Sequence, residues 1–375
     1  MTAPAPSTLT VDLDAYAHNL GVVRSYIPPD TGIIAVVKAD AYGLGAVAVA
    51  RRAVREGVAM LAVATAGEGM ALREAGIEAP ILVLINPPED ALPEIVRHGL
   101  RTVIADVRTG ERLGEIARKS RKISTIHCEI DTGMGRQGFA PETAAEQVLQ
   151  LTRISNVDIE GICTHFPCAE TPPDQFTLNQ LKTFRQVLRD LEKEGVPYEM
   201  AHAANSAAVV NFGPSCLNMV RPGIMTYGAW PSTAAPAGDK PRLREVAKWT
   251  STVVLVRDMA GGASVGYGRT YKAPSPRRVA LVPVGYADGY DRRLSNAGEV
   301  LVRNTRCPVI GTVSMDQIVV DVSGLPAIQA GDSVTLLGTH RDNRIEIEEV
   351  ARKIDTVPHN VLTAIGPRVA RVYVP

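Results

Sequence analysis

The sequence predicts an α/β barrel followed by an all-β domain. Three observations predict it. Short β-branched apolar runs alternate with amphipathic helical patterns over the first 230 or so residues, a Pro/Ala/Gly-rich stretch interrupts the pattern at 231–241, and beyond it come short strand-like pieces broken by glycines and prolines. The strand candidates of the first region are residues 33–37, 60–64, 81–85, 102–105, 125–130, 158–164, 198–203 and 217–220. Helical patterns separate them, among them 46–56, 66–75, 143–154 and 176–194, and another at about 13–26 precedes the first strand. Eight strands separated by helices suggest a closed parallel (β/α)8 barrel; a doubly wound open sheet is the rival, because alternation does not establish closure. The stretch 231–241 reads as a linker. After it, residues 250–256, 278–284, 300–302, 308–310, 318–322 and 333–337 read as strands, with one helix near 346–354. The division expected is a barrel over 1–235 and a β-domain over 242–375.

Bulk properties narrow the function classes. Forty basic residues balance forty acidic ones, so nothing points to nucleic acid or to an anionic membrane surface as partner. No apolar run approaches the length that spans a bilayer, and residues 1–10 lack the basic and apolar regions of a secretory signal. Five cysteines without paired CxxC spacing fit neither a disulfide framework nor a zinc site, and a reducing cytoplasm is expected. The seven histidines show no metal-ligand spacing.

The most informative stretch is Ala35-Val36-Val37-Lys38-Ala39-Asp40-Ala41-Tyr42-Gly43-Leu44-Gly45. A lysine ending a buried strand sits at the rim of a core. Desolvation there favours the neutral amine, the form that attacks a carbonyl to make a Schiff base. Other polar residues fall at the carboxyl ends of the expected strands: Asp131 and Arg136 after the fifth, His165 at the sixth, Asn205 and Ser206 after the seventh, Arg221 and Gly223 after the eighth. In a (β/α)8 barrel those ends share the face on which active sites form.

The Lys38 segment resembles the pyridoxal-phosphate attachment motif of alanine racemases. Matching pieces follow in order along most of the chain: Asp131-Thr132-Gly133-Met134-Gly135-Arg136, Thr164-His165-Phe166, Ala204-Asn205-Ser206-Ala207, Val220-Arg221-Pro222-Gly223-Ile224, Gly266-Tyr267-Gly268-Arg269-Thr270, Gly285-Tyr286-Ala287-Asp288-Gly289 and Ser314-Met315-Asp316-Gln317. The resemblance implies a cytoplasmic, homodimeric isomerase that interconverts L- and D-alanine and supplies D-alanine as a peptidoglycan precursor. Lys38 would hold pyridoxal 5'-phosphate, with Tyr42, Ser206 and the backbone N–H groups of Gly223 and Ile224 around the phosphate. Arg221 would face the pyridine nitrogen and His165 would orient it. Lys38 and Tyr267 would be the two opposed bases, Tyr267 reaching in from the partner subunit of a head-to-tail dimer. Arg136 would hold the substrate carboxylate, assisted by the Met315 backbone of the partner, and Tyr286 would narrow the substrate channel.

The chain departs from the family pattern at three positions. Many members carry a carbamylated lysine two residues before the Asp131 equivalent; here Glu129 brings its own, shorter carboxylate. Within Thr356-Val357-Pro358-His359-Asn360, His359 stands where the family usually has a tyrosine that contacts the phosphate and crowds the substrate side chain. Serine as an additional substrate is therefore expected. Ser314 replaces a common cysteine, a minor change. Two rival functions are a decarboxylase of the same architecture, which should place an acid at the ring nitrogen and a partner cysteine motif in the second domain, and a non-catalytic pyridoxal-phosphate carrier, which should lack the β-domain.

Overall fold

The computed structural model describes residues 6–172, 174–231 and 241–375, so the linker assigned to 231–241 lies almost wholly outside the described residues. Strand β1 (Ser7–Asp12) comes first, and β2 (Gly32–Val36), β3 (Met60–Val63), β4 (Ile81–Val83), β5 (Arg101–Ile104), β6 (Ser124–Glu129), β7 (Val157–Cys163), β8 (Met200–Asn205) and β9 (Met219–Arg221) follow. Strands β2 to β9 pair in parallel in chain order, and β9 closes back onto β2 through Gly32–Met219 and Ile33–Val220. The barrel is closed, and the doubly wound sheet is excluded.

Each barrel strand is short and nearly all buried, as a strand covered on both faces must be. Helices return the chain between strands. Ala66–Glu74 and Val107–Lys119 start on Thr65 and Asp106, whose side chains accept N–H groups of the first turn. Gln175–Lys193 starts in the same way on Asp174.

The second domain is built on a sheet whose order is Thr305–Pro308, Glu299–Val302, Ser333–His340, Ala247–Thr252, β1, Ala370–Val374, with Asn343–Ile345 paired to Ser333–His340. A three-stranded sheet (Leu255–Met259, Arg277–Val282, Ile318–Asp321) and a two-stranded ribbon (Ser264–Val265, Tyr271–Lys272) complete it. The structure differs from the sequence reading at the N-terminus. Strand β1 belongs to this sheet, antiparallel to Ala247–Thr252 and parallel to Ala370–Val374. Its strict alternation of buried and half-buried residues suits a sheet with one face on the core, and a local pattern cannot reveal a partner some 240 residues away. The single strand expected at 250–256 is two, Ala247–Thr252 and Leu255–Met259, in different sheets.

One element governs the site. After β2 the chain makes a left-handed turn: Ala39, Asp40, Ala41 and Tyr42 have φ of 52°, 53°, 52° and 57°. Such a turn costs L-residues about 1–2 kcal/mol each, so the surroundings must impose it. Its N–H groups are satisfied from within, Ala41 to Val37 at 2.9 Å and Gly43 to Ala39 at 2.8 Å. From outside, Glu68 accepts the Ala39 N–H at 2.9 Å, Asp40 accepts the Ala46 N–H at 2.7 Å, and the Arg371 guanidinium donates to the Gly43 carbonyl at 3.1 and 3.0 Å. The C-terminal strand thus clamps the lysine turn. Gly45, at φ 100°, lies where a Cβ would meet the Tyr373 hydroxyl at 1.8 Å. Gly45→Ala should therefore add about 1–3 kcal/mol of strain. The measurement is the thermal unfolding midpoint, expected to fall by several degrees and to recover partly in Gly45→Ala/Tyr373→Ala. An unchanged midpoint contradicts the clamp.

Candidate active site

A cavity of about 460 Å³ opens at the carboxyl ends of the barrel strands. It is lined by Lys38 and Tyr42 from the lysine turn, Arg136 from the loop after β6, His165 after β7, Ser206 after β8, and Arg221, Gly223 and Ile224 at the end of β9. Eight of the eleven residues to which the resemblance gives a role are thereby brought together. Glu129 and His359, the two main departures from the family pattern, line it as well.

Local chemistry presents each group. Asp131 folds the loop that carries Arg136: its carboxylate accepts the N–H groups of Gly133 and Gly135 at 3.0 Å, and Phe139 returns to bond Glu129 at 2.7 Å. Tyr42 packs between Tyr227 and His359, with ring centroids 4.5 and 5.6 Å away. Gly223 approaches Tyr42 so closely that a Cβ would lie 2.3 Å from its hydroxyl oxygen. The Ser206 hydroxyl accepts the Gly223 N–H at 2.9 Å. The helix beginning at Ser206 runs only to Asn211, so local N–H and O–H donors matter more here than its dipole.

Arg221 is the anchored cation of the site. Its Nη2 donates to the Thr164 and Ala203 carbonyls at 2.7 and 3.1 Å, its Nη1 donates to the His202 carbonyl at 2.9 Å, and His202 Nδ1 also accepts from Nη1. His165 Nδ1 lies 3.3 Å from Nη2. Nε engages no protein acceptor among the described residues. An arginine keeps its proton, so this N–H is a fixed donor on a residue lining the cavity.

The charges act on one another. Burial lowers the Lys38 pKa, the Arg136 and Arg221 cations lower it further, and Glu68 opposes them. His165 is pushed down to about 3 by burial and then by Arg221, Arg136 and Lys38, so its imidazole is neutral. Burial raises the Glu129 carboxyl against the pull of the Gln137 hydrogen bond and of Arg221 and Arg136. Glu129 accepts from Gln137 Nε2 at 2.5 Å, and no hydrogen bond or ion pair joins it to Arg136 among the described residues. The shorter side chain is held by a neighbour on its own loop.

Tyr267 and Met315 lie apart from the cavity. Tyr267 stands at the tip of the ribbon formed by Ser264–Val265 and Tyr271–Lys272 and is 72% exposed, and Met315 is 51% exposed. Gly266 and Gly268, at φ 68° and 69°, make the tip, and Thr312 donates to the Tyr267 carbonyl at 2.8 Å. Met315 and Ser314 accept backbone N–H groups of Ala287 and Tyr286, a packing so close that a Cβ on Gly285 would lie 2.3 Å from their carbonyl oxygens. Tyr267, Tyr286 and Met315 are exposed residues of the second domain.

Sequence reasoning missed Glu68 and the buried polar residues His127, Glu160 and His202. Glu68 joins the ends of β2 and β3 by accepting from Ala39 and Ala64 at 2.9 and 2.7 Å. For His127, Glu160 and His202 the available signal was a charged or imidazole side chain inside an apolar strand, which a buried strand tolerates only with partners.

The comparisons agree with this geometry. Residues 11–231 match the N-terminal domain of alanine racemases and residues 246–373 match their C-terminal domain. The chain is 37% identical over 369 residues to alanine racemase 1 of Caldanaerobacter subterraneus subsp. tengcongensis, covering 98% of this chain and 95% of that one. The chain belongs to the alanine racemase family. Among solved structures, alanine racemase of Clostridium difficile 630 superposes with a TM-score of 0.95 at 33% identity, covering 100% of this chain and 97% of that one. Alanine racemase of Bartonella henselae, with covalently bound pyridoxal phosphate, superposes with a TM-score of 0.89 at 30% identity, covering 99% and 100%. These relatives support racemase function and favour neither rival.

The residues present fit pyridoxal phosphate. His359 Nδ1 is buried without a partner at the cavity wall, Gly223 leaves room that a Cβ would fill, and Arg221 keeps a spare N–H. Lys38 offers an amine whose neutral form the site favours. In the cofactor-free protein, competitive amine labelling against pH should show Lys38 reacting with an apparent pKa below that of a free lysine side chain. Because the Arg136 cation disfavours charge on Lys38, Arg136→Gln should move that pKa upward. A Lys38 that titrates like a free lysine side chain contradicts this account of the electrostatics.

Proposed function

We propose that the protein is a pyridoxal-phosphate-dependent alanine racemase, a homodimer that shares its active sites between subunits. The observation that carries this reading is the placement of Lys38, disfavoured as a cation, in one cavity with Arg136 and with Arg221, whose Nε–H has no protein acceptor among the described residues. Bound there, pyridoxal phosphate would supply a carbonyl carbon for amine exchange and an electron sink that acidifies the substrate α-carbon.

Lys38 would hold the cofactor, and Tyr42, Ser206 and the N–H groups of Gly223 and Ile224 would hold its phosphate, with His165 supporting Arg221 at the ring nitrogen. Arg136 would take the substrate carboxylate in the bidentate geometry that guanidinium allows, with the partner's Met315 N–H beside it. The Lys38 amine, freed by the incoming amino acid, would accept or return the α-proton on one face. The Tyr267 phenol of the partner would do so on the other. Arg221 cannot surrender a proton to a ring nitrogen, which weakens the sink and favours return of the proton to carbon. The exposure of Tyr267 and Met315 supports the shared site, since each would be covered by the partner. Among the described residues no helix is long and apolar enough to cross a membrane, and a cytoplasmic enzyme that supplies D-alanine for peptidoglycan fits this reading.

With the cofactor added, L-alanine should become an equal mixture of enantiomers by chirality-resolved chromatography. Borohydride reduction followed by peptide mapping should find the pyridoxyl group on Lys38. Carbon dioxide release without D-alanine would favour the decarboxylase, and label on another lysine would refute the site.

We propose further that the substrate range includes serine. His359 is smaller than tyrosine and lines the cavity near Tyr42, leaving room beside the substrate β-carbon. A filled pocket discriminates one heavy atom by about 10–200-fold. His359→Tyr should raise the alanine-to-serine ratio of kcat/KM within that range, and an unchanged ratio removes His359 from the specificity pocket.

A further inference from the structure

The barrel interior holds a line of polar groups that the proposed reaction does not use. At the amino end of β5, Arg101 Nε donates to Glu160 Oε2 at 2.6 Å. The same oxygen faces His127 Nε2 at 3.0 Å, His127 Nδ1 faces His202 Nε2 at 2.7 Å, and His202 Nδ1 faces Arg221 Nη1. The line crosses the barrel from the first residue of β5 to the last residue of β9, from the mouth opposite the active face to the active face itself. Both imidazoles are fully buried, and Glu160 and Arg221 are buried with them. The sequence makes room for it: a Cβ on Gly161, which pairs with His127, would lie 2.3 Å from His127 Nδ1.

The two ends determine every proton between them. Burial raises the Glu160 pKa, but its hydrogen bonds to His127 and Arg101 outweigh this and hold it down to about 2, so it is a carboxylate that only accepts. His127 Nε2 must therefore carry hydrogen. Arg221 only donates, so His202 Nδ1 must be a lone pair and His202 Nε2 must carry hydrogen. His127 Nδ1, which receives that hydrogen, must be a lone pair as well. Only one pattern satisfies all three contacts: two neutral imidazoles, both Nε2–H, with every hydrogen bond donated in one direction, from Arg221 through His202 and His127 to Glu160. Aligned hydrogen bonds of this kind polarise one another.

We propose that Glu160, His127 and His202 are positioning residues that fix the Arg221 guanidinium through one polarised line of hydrogen bonds, and so hold the donor that the cofactor ring would meet. This rests on the racemase reading for its consequence, but its proton pattern does not. The line sets the plane of Arg221 from behind, while Thr164, Ala203 and His165 set it from the side. When it is cut, Arg221 loses its fixed aim at the ring nitrogen, and more turnovers end in amino transfer. In that side reaction the α-carbon leaves as the keto carbon of pyruvate, oxidised by two electrons, and the amino group stays on the cofactor, which is reduced by the same two.

The test has two arms. First, ring-15N NMR of the full-length protein at neutral pH, without cofactor, should show His127 and His202 as neutral Nε2–H tautomers, assigned by the signals lost in His127→Gln and His202→Gln. A Nδ1–H tautomer or an imidazolium at either position overturns the proposal, whatever the protein catalyses. Second, in the loaded enzyme His127→Leu, which has no polar atom, should lower kcat by about 10–100-fold, the range for losing a hydrogen bond tied to charged groups. It should also raise the pyruvate formed per racemisation. His127→Gln can donate to Glu160 and accept from His202, and should restore both values towards wild type. A structural role alone would lower stability and leave the pyruvate ratio unmoved, and that result overturns the positioning role. Absence of racemisation in the wild type would refute the proposed function and leave the NMR arm to decide the proton pattern.

Discussion

A permanent cation buried at the end of β9 is the constraint around which the rest of the site is arranged. Burial works against the charge of Arg221, and an arginine cannot relieve the cost by losing its proton. The protein must surround it with acceptors. It does so with the Thr164, His202 and Ala203 carbonyls, two imidazole lone pairs and, two hydrogen bonds further back, the Glu160 carboxylate. Parallel closure makes this possible, because it brings the ends of β7, β8 and β9 to one face. The same cation lowers the Lys38 pKa and helps keep His165 neutral. One buried charge therefore links the fold, the acid–base state of the site and the chemistry it can support.

The lysine turn is the second demanding feature, and it depends on both domains. Four successive left-handed residues place Lys38 and Tyr42 on the cavity wall. The C-terminal strand braces them through Arg371, and the helix Pro358–Thr363 supplies His359 beside Tyr42. Strand β1, from the other end of the chain, pairs with that same C-terminal strand. The second domain thus braces the turn that carries Lys38 even within one chain.

Much of this was legible in the residues. The eight barrel strands are recognisable because buried parallel strands are short, continuous and β-branched, and their positions depart from expectation by only a residue or so at most ends. Lys38, Arg136, His165 and Arg221 stand out as polar residues at strand ends. Strand β1 was not legible, because a single alternating strand carries no information about a partner far along the chain. The Glu160, His127 and His202 line was not legible either, because its logic lies in contacts among β6, β7 and β8 and not in any local spacing. The departure at Glu129 was visible, but its partner, Gln137, depended on how the loop after β6 folds back.

In the proposed reaction Lys38 is the base that the cavity would supply, inversion at carbon needs a second group on the opposite face, and Tyr267 stands exposed on the second domain. In the proposed enzyme the barrel of one subunit and the ribbon of its partner would make one site. Subunit complementation tests it most directly: co-express Lys38→Ala with Tyr267→Phe under two affinity tags, isolate the heterodimer and measure racemisation of alanine. One of its two sites would combine an intact Lys38 with an intact Tyr267, so the heterodimer should recover about half the wild-type rate while both parent homodimers stay far below it. A heterodimer no more active than its parents would contradict the shared site.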